Sequence, residues 1–373
     1  MRKILSFLTI AFLLLSCRNE NSHKTIKVDI DSMNNVSFFA FFDKVEIIKL
    51  KSNPDALLSY FKKVISFDEN YYILDFRFPV IYIFNNKGEY VAKINNRGQG
   101  PNEYIQISDF EIDTTNHKLA FIDPTNSTLH EYDLKGNFKK RVSLPKLSRS
   151  YYKFKYINSD LICFWTFDYE NRVKFYSLSQ NKILKESFPE VDNVLNNSPL
   201  DFSYGNFLCR PISNTVYELC SDFRIKGSYT WDFGSLNNDE KKLFKNSESF
   251  SKIDPNTFIE KVRSSEVVNY IFASNGGNSA FVMTQIVRKN KILNIFHDKK
   301  LNKSYVFEKF IEDARFFPIY WTEDYVIGKK LETDKNLDGC LPDEILDKKN
   351  IAIKMGITEF DNPVLIKYYF RKK

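Results

Sequence analysis

Tyr72-Ile73-Leu74-Asp75, Ile81-Tyr82-Ile83-Phe84 and Lys87-Gly88-Glu89-Tyr90 return 48 positions later as Ala120-Phe121-Ile122-Asp123, Leu129-His130-Glu131-Tyr132 and Lys135-Gly136-Asn137-Phe138. Repeats of about 40–50 residues built from several short strands mark a β-propeller, in which each repeat is one four-stranded blade. A blade cannot bury both its faces alone, so it stacks on its neighbours around an axis.

Working outward from these two units, residues 44–50 alternate in polarity and read as a strand. Strands follow at 60–67, 71–75, 81–85 and 89–94, with turns at Asp68-Glu69-Asn70 and Asn86-Lys87-Gly88. The second unit spans 107–144. A third reads at 151–156, 161–167, 172–177 and 183–188, and a fourth at 207–210, 215–219 and 225–233. A fifth reads at 280–286, 292–296 and 305–310, and a sixth at 317–321, 325–328 and 364–370. The last unit lacks a strand while 45–50 stands unpaired at the start. The economical solution makes 45–50 the outer strand of the last blade, which removes a free sheet edge. The fold expected for residues 36–373 is therefore all-β, a six-bladed β-propeller closed by an N-terminal strand. Two insertions interrupt it. Residues 236–268 read partly helical, capped by Asn237 or Asn238 with Asp239 and Glu240 in the first turn. A short helix is expected over 343–349.

The N-terminus is a targeting signal. Arg2 and Lys3 precede an apolar run over 4–15 that is too short to span a bilayer comfortably. The run ends in Leu14-Leu15-Ser16-Cys17, which resembles the bacterial lipobox, whose cysteine becomes the lipidated first residue. Such a lipid holds a protein on a membrane, each buried methylene contributing about 0.8 kcal/mol. Arg18, in place of an aspartate, implies sorting to the outer membrane, with the leaflet left open. Residues 18–35 read as a polar tether dispensable for folding. Loss of Arg2 and Lys3 lowers the formal charge from +7 to +5, and no run of five like charges occurs. Nucleic-acid binding is therefore not expected.

The chain resembles the bacterial six-bladed β-propeller lipoproteins, related in shape to NHL and TolB-type propellers. The resemblance is carried by Asn96-Arg97-Gly98-Gln99-Gly100-Pro101-Asn102-Glu103-Tyr104, Ile73-Leu74-Asp75, Phe84-Asn85-Asn86-Lys87-Gly88-Glu89-Tyr90, Asn214-Thr215-Val216-Tyr217-Glu218-Leu219 and Asn362-Pro363-Val364-Leu365. It implies a fold and a location in the envelope. It implies no catalytic residue.

Strand order alone brings distant residues together. In a blade the strands run from axis to rim, so the links between blades share a face with the turns joining second to third strands. Asp75, Arg77, Arg97, Glu103, Tyr104, Asp123 and Arg210 should then surround one funnel. Convergent polar groups at a concave mouth suggest a ligand site. The same residues also suit a structural role: Asp75 and Asp123 as turn caps, and Gly98 and Gly100 as positive-φ positions. Asp334, Asn336 and Asp338 resemble the first half of a calcium loop, but Ile345 stands where its glutamate belongs. A calcium site and a solvated loop are both open, and no other cofactor is expected. Cys163, Cys209, Cys220 and Cys340 include no CxxC pair, and Cys209 with Cys220 could form a disulfide or stay thiols. His23, His117, His130 and His297 do not cluster, and neither HExxH nor GxSxG occurs. The expected function is a lipid-anchored envelope propeller that binds glycans or peptides, or docks on an outer-membrane complex. The alternative is a lyase or hydrolase working in the funnel.

Overall fold

A computed structural model describes residues 24–372 apart from 60, 76, 169–170, 190–200, 203–204, 210–213, 238–253, 269–274 and 331–336. Two N-terminal strands, β1 (Lys24–Lys27) and β2 (Phe42–Lys49), are followed by the blades. Blade one is β3 (Phe61–Phe67), β4 (Asn70–Asp75), β5 (Val80–Asn85) and β6 (Tyr90–Ile94). Blade two is β7 (Phe110–Asp113), β8 (Lys118–Asp123), β9 (Thr128–Asp133) and β10 (Phe138–Ser143). Blade three is β11 (Tyr151–Tyr156), β12 (Leu161–Thr166), β13 (Asn171–Ser177) and β14 (Lys182–Pro189). Blade four is β15 (Asp201–Phe202), β16 (Phe207–Cys209), β17 (Thr215–Leu219) and β18 (Ile225–Asp232). Blade five is β19 (Asn275–Gly277), β20 (Phe281–Arg288), β21 (Lys291–Asp298) and β22 (Lys303–Phe307). Blade six is β23 (Pro318–Trp321), β24 (Tyr325–Gly328), β25 (Val364–Phe370) and the early strand β2. The six-bladed all-β propeller is thus the fold, and β2 closes its last blade as the spacing of strands demanded.

Local turn chemistry explains why the first two units are legible. Asn85 accepts the Lys87 and Glu89 amides, and Asp133 accepts those of Lys135 and Asn137. Gly88 and Gly136 follow at φ +74 and +86, closing three-residue hairpin turns that need a left-handed residue. Gly88 has a second constraint: a Cβ there would sit 2.2 Å from the Lys49 carbonyl oxygen of the neighbouring blade.

The core is six apolar clusters, one between each neighbouring pair of blades. The seam between blades five and six is the most aromatic. It holds Phe38, Phe41, Phe42, Phe281, Phe296, Phe310, Phe316 and Trp321. Phe41 stacks on Phe296 with centroids 4.5 Å apart.

The expected tether is corrected over 24–35. β1 runs parallel to β18 as a fifth strand of blade four, and Ile26, Val28 and Ile30 are buried between blades four and five. The chain then crosses blade five as a strap. Arg288 holds Asp31 at 2.6 Å, Asn34 pairs with the Val306 backbone at 2.8 Å both ways, and Glu312 accepts the Phe38 amide at 2.8 Å. The alternation Ile26, Val28, Ile30 buries one face of this segment, as a strand pattern should.

The insertions also differ from expectation. Asn237 ends a 3-10 turn (Gly234–Leu236), and the helix start expected after it, with Asn238, Asp239 and Glu240, lies outside the described residues. Helix α1 (Pro255–Ser264) begins later, with Asp254 accepting the Thr257 amide and Pro255 in the first turn. The second helix is shifted as well. A 3-10 turn (Asp343–Ile345) precedes α2 (Lys348–Met355), capped by Asp347. Its buried Asn350 accepts the Ile47 amide at 2.7 Å and donates to the Val45 carbonyl at 3.1 Å. It thereby covers the outer edge of β2.

If the strap is part of the fold, a chain beginning at residue 31 should melt well below one beginning at residue 23. Burying Ile26, Val28 and Ile30 contributes on the order of 1.5–3 kcal/mol each. Coincident thermal melts of the two chains would restore the tether.

Candidate functional site

The links between blades and the turns joining second to third strands meet on one face. Asp75, at the end of β4, ties them together. Its carboxylate accepts the Ser59 amide at 2.9 Å, and the Arg77 and Phe78 amides at 3.0 and 3.2 Å. Asp123 repeats this in blade two, accepting Ile105 N at 3.0 Å, Thr125 N at 3.1 Å and the Asn126 side chain at 2.8 Å. In blade three Asp168 takes the Ser148 hydroxyl and the Lys174 ammonium. The same latch therefore fastens two incoming links to two turns, and in blade three a side-chain contact joins Ser148 of the link to Asp168.

The Gly-x-Gly string is built around Glu103. Its carboxylate accepts the Gly100 amide at 2.7 Å, and a Cβ at Gly98 would sit 2.0 Å from that carboxylate. Neither Gly98 nor Gly100 has positive φ, so these glycines supply room and not a left-handed backbone. Tyr104 is fully buried against Phe121, its hydroxyl donating to the carbonyls of Pro79 at 2.7 Å and Ile94 at 3.2 Å.

The funnel set thus divides. Asp75 and Asp123 take the turn-cap role offered as the alternative to ligand contact, and Tyr104 is framework as well, because each is wholly buried with its polar atoms hydrogen-bonded within the protein. Glu103 holds its own loop. Arg77 and Arg97 are exposed above them, and Arg210 lies outside the described residues. Sequence reading missed the apolar companions of Arg77: Phe78 and Leu57 are 51% and 60% exposed. Phe78 hangs from the Asp75 latch, and Leu57 is anchored through its carbonyl by the Tyr82 hydroxyl at 3.3 Å. Blade one therefore presents two large apolar side chains and two arginines on a backbone pinned beneath them.

A second group, also missed, lies at the axis on the innermost strands. Lys63 of β3 donates to Asp109 at 2.8 Å and to Glu111 of β7 at 2.7 Å, with Lys155 of β11 3.6 Å from Glu111. Asp109 also accepts the Phe154 amide at 3.1 Å, and Tyr320 of β23 donates to the Ser66 carbonyl at 3.2 Å nearby. The carboxylates are 6% and 8% exposed and the Lys63 side chain 28%. Burial pushes the Asp109 carboxyl above the usual carboxylate range, and the neighbouring Glu111 charge adds to this. Burial acts on Glu111 too, but Lys155 and Lys63 outweigh it and hold its pKa down. Burial opposes the charge on Lys63, yet the two carboxylates raise its pKa above the ordinary lysine value. A signal was available: charged residues interrupting strands that are otherwise apolar.

Of the calcium-loop residues, Asp334 and Asn336 lie outside the described residues, and Asp338 faces Lys354 at 2.8 Å. Among the described residues no group of three metal-binding side chains occurs, and no helix is long and apolar enough to cross a membrane. Cys163, Cys209, Cys220 and Cys340 are all thiols. Cys17 lies outside the described residues.

The chain matches the family described as "Domain of unknown function (DUF4934)" over residues 23–369 and belongs to it. No curated protein matches it. Among solved structures it is similar to a Bacteroides fragilis NCTC 9343 protein described as a "Putative exported protein". The TM-score is 0.72 at 16% identity, covering 94% of this chain and 100% of that one. It is also similar to a member of the DUF4221 family from Bacteroides vulgatus ATCC 8482, with TM-score 0.52 at 9% identity over 88% and 98% of the two chains. At these identities the likeness is one of fold.

Two outcomes test this arrangement. Lys63→Ala removes the ammonium that Asp109 and Glu111 share, leaving Glu111 with Lys155 at 3.6 Å, and should cost about 3–5 kcal/mol, read from denaturant unfolding. A loss below about 1 kcal/mol would show the axial carboxylates to be hydrated. His130 provides the second test. It is fully buried, stacks on Phe121 with centroids 4.9 Å apart, and burial pushes its pKa down to about 4. Unfolded, it titrates near about 6.5, so the unfolded state binds more protons between these values. Stability should fall as pH drops through that window, and His130→Phe should flatten the fall. An unchanged slope would remove His130 as a source of acid sensitivity.

Proposed function

We propose that this chain is a ligand-binding propeller of the bacterial cell envelope, anchored by a lipid on Cys17, that captures a glycan or peptide on the linker face of blade one. The observation that carries the reading is the exposure of Phe78 with Arg77 5.8 Å over its ring, and of Leu57 and Arg97 on the same face of blade one, on loops fixed by the Asp75 latch and the Glu103 carboxylate. Exposed apolar groups gathered beside cations are costly to leave in water and mark interaction sites. Arginine suits both ligand classes, since its planar fork binds carboxylates and sugar oxygens and stacks on rings.

The envelope location is supported by the apolar run and lipobox ending at Cys17, by Arg18, and by the likeness to a protein described as exported. Kinship with NHL and TolB-type lipoproteins, and docking on an outer-membrane complex, belong to the same reading. A second reading, a lyase or hydrolase, rests on Asp109 and Glu111. Neighbouring carboxyls whose pKa values are pushed apart are the usual division between an acid and a base.

The test is a glycan and peptide array probed with the protein from residue 18 onward. Arg77→Ala with Phe78→Ala should weaken any hit by about tenfold or more while moving the melting point little, because neither side chain is buried. Unchanged affinity, together with a large drop in melting temperature, would make these residues structural. Ligand turnover abolished by Asp109→Asn would favour the enzyme.

A further inference from the structure

The face opposite the linker loops carries a charge asymmetry next to the place where the chain enters the ring. β1 pairs with β18 in parallel, so it enters from the side of the turns that join third to fourth strands. Its first residue, Lys24, reaches His297 at the end of β21 with Nζ to Nε2 at 3.5 Å. Immediately beyond lies the outer turn of blade five, Lys299-Lys300-Leu301-Asn302-Lys303. Leu301 at its tip is 61% exposed.

This turn is rigid. Asp298 accepts the Lys300 and Leu301 amides at 2.9 Å each, and Asn302 takes a left-handed φ of +50. Lys303 sits over the Tyr305 ring at 4.9 Å, and Lys299 donates to the Asn278 carbonyl. No ion pair to a carboxylate joins Lys299, Lys300 or Lys303 among the described residues. The nearby Glu323 accepts the Ser279 amide at 2.9 Å and its charge also acts on Lys299, so the turn's excess charge rests on Lys300 and Lys303. Blade four's own outer turn is different. Arg224 pairs with Asp222 at 2.6 Å and Lys226 with Glu218 at 3.4 Å. Blade five's turn and Lys24 therefore carry positive charge that blade four's turn pairs internally.

We propose that the turn Lys299–Lys303, with Leu301 at its tip and Lys24 beside it, docks on an anionic phospholipid surface as a second membrane contact next to the lipidated N-terminus. This rests on the anchoring of Cys17 proposed above. Six residues separate Cys17 from Lys24, seven steps of the chain and a reach of at most about 24 Å, so a bilayer holding the lipid lies within range of this turn. The lipid on Cys17 anchors the chain by itself, and a basic surface beside it adds attraction and fixes how the ring sits on the bilayer. Each lysine near anionic headgroups adds about 1 kcal/mol, while Leu301 can enter the interface. The seating turns the linker face of blade one, on the opposite side of the ring, toward the solvent.

The experiment uses the processed full-length lipoprotein in vesicles of phosphatidylethanolamine and phosphatidylglycerol containing a photoactivatable lipid. Cross-linked peptides and the N-terminus are read by mass spectrometry. Cross-links should fall on the peptide containing residues 299–303. They should be lost in the triple variant Lys300→Glu, Leu301→Glu and Lys303→Glu, whose melting point is checked in parallel. The same triple change in the chain from residue 18 onward should weaken binding to these vesicles by at least about tenfold, and neutral phosphatidylcholine vesicles should bind neither form. Cross-links on the linker face, or equal binding to neutral and anionic vesicles, would overturn the proposal. An acylated Cys17 with no cross-link at this turn overturns the docking surface alone. An unmodified N-terminus with the turn still cross-linked overturns the anchor and leaves the surface standing.

Discussion

Everything in this molecule depends on closing a ring with its own N-terminus. A propeller is a set of sheets none of which is stable alone, so one missing seam exposes two apolar faces at once. Here β2 completes blade six through its ladder with β25, running from Phe42 opposite Phe370 to Lys49 opposite Val364. The residues just before it, Phe38 and Phe41, fill the seam to blade five. Further back, Ile26, Val28 and Ile30 fill the seam between blades four and five. One continuous segment thus seals two adjacent seams and covers the rim between them. The concentration of phenylalanine at the seam of blades five and six follows from this. It is where strap, inserted helix and two blades converge, and flat rings fill such a junction with few rotatable bonds.

Ring closure also divides the labour between the two faces. On the linker face, Asp75 and Asp123 spend their carboxylates on incoming backbone, and Tyr104 spends its hydroxyl on two carbonyls. A buried carboxylate accepting several amides is costly to disturb and gains little from a ligand. What it does is fix the loop above it. Exposed above it on blade one are Arg77, Phe78, Leu57 and Arg97. The axial group follows the opposite logic. Lys63, Asp109 and Glu111 satisfy one another, so removing one partner strands charge near the core.

The legible part of the fold was the part written locally. The recurrence at 48 positions is visible because Asn85 and Asp133 cap identical turns and Gly88 and Gly136 take the same left-handed backbone. Closure by β2 was visible as an unpaired strand against an incomplete blade. β1 was not, because four residues carry little signal and their partner β18 lies some 200 positions away. The alternation of Ile26, Val28 and Ile30 was present, but polar neighbours made it look like linker. Gly98 misled for another reason. Sequence distinguishes a glycine from other residues, but not a glycine kept for its torsion from one kept for the volume that the Glu103 carboxylate occupies.

The candidate site residues were harder to read because strand order fixes which face a loop occupies, and not which side chains emerge from it. Arg77 and Arg97 are exposed on their loops, yet strand order could not separate them from Asp75 and Tyr104 beneath. That separation depends on whether each polar atom finds a backbone partner within about 3 Å, which only the packed structure decides. The companions Leu57 and Phe78 escaped for the complementary reason. In a chain with 35 phenylalanines, one more reads as core, and only its exposure marks it as surface. The turn Lys299–Lys303 shows the same ambiguity for charge. Lysines are common in hairpin turns, and those near Arg224 are paired with acids. What singles out blade five is that three lysines and an exposed leucine share one rigid turn beside the entry of the chain.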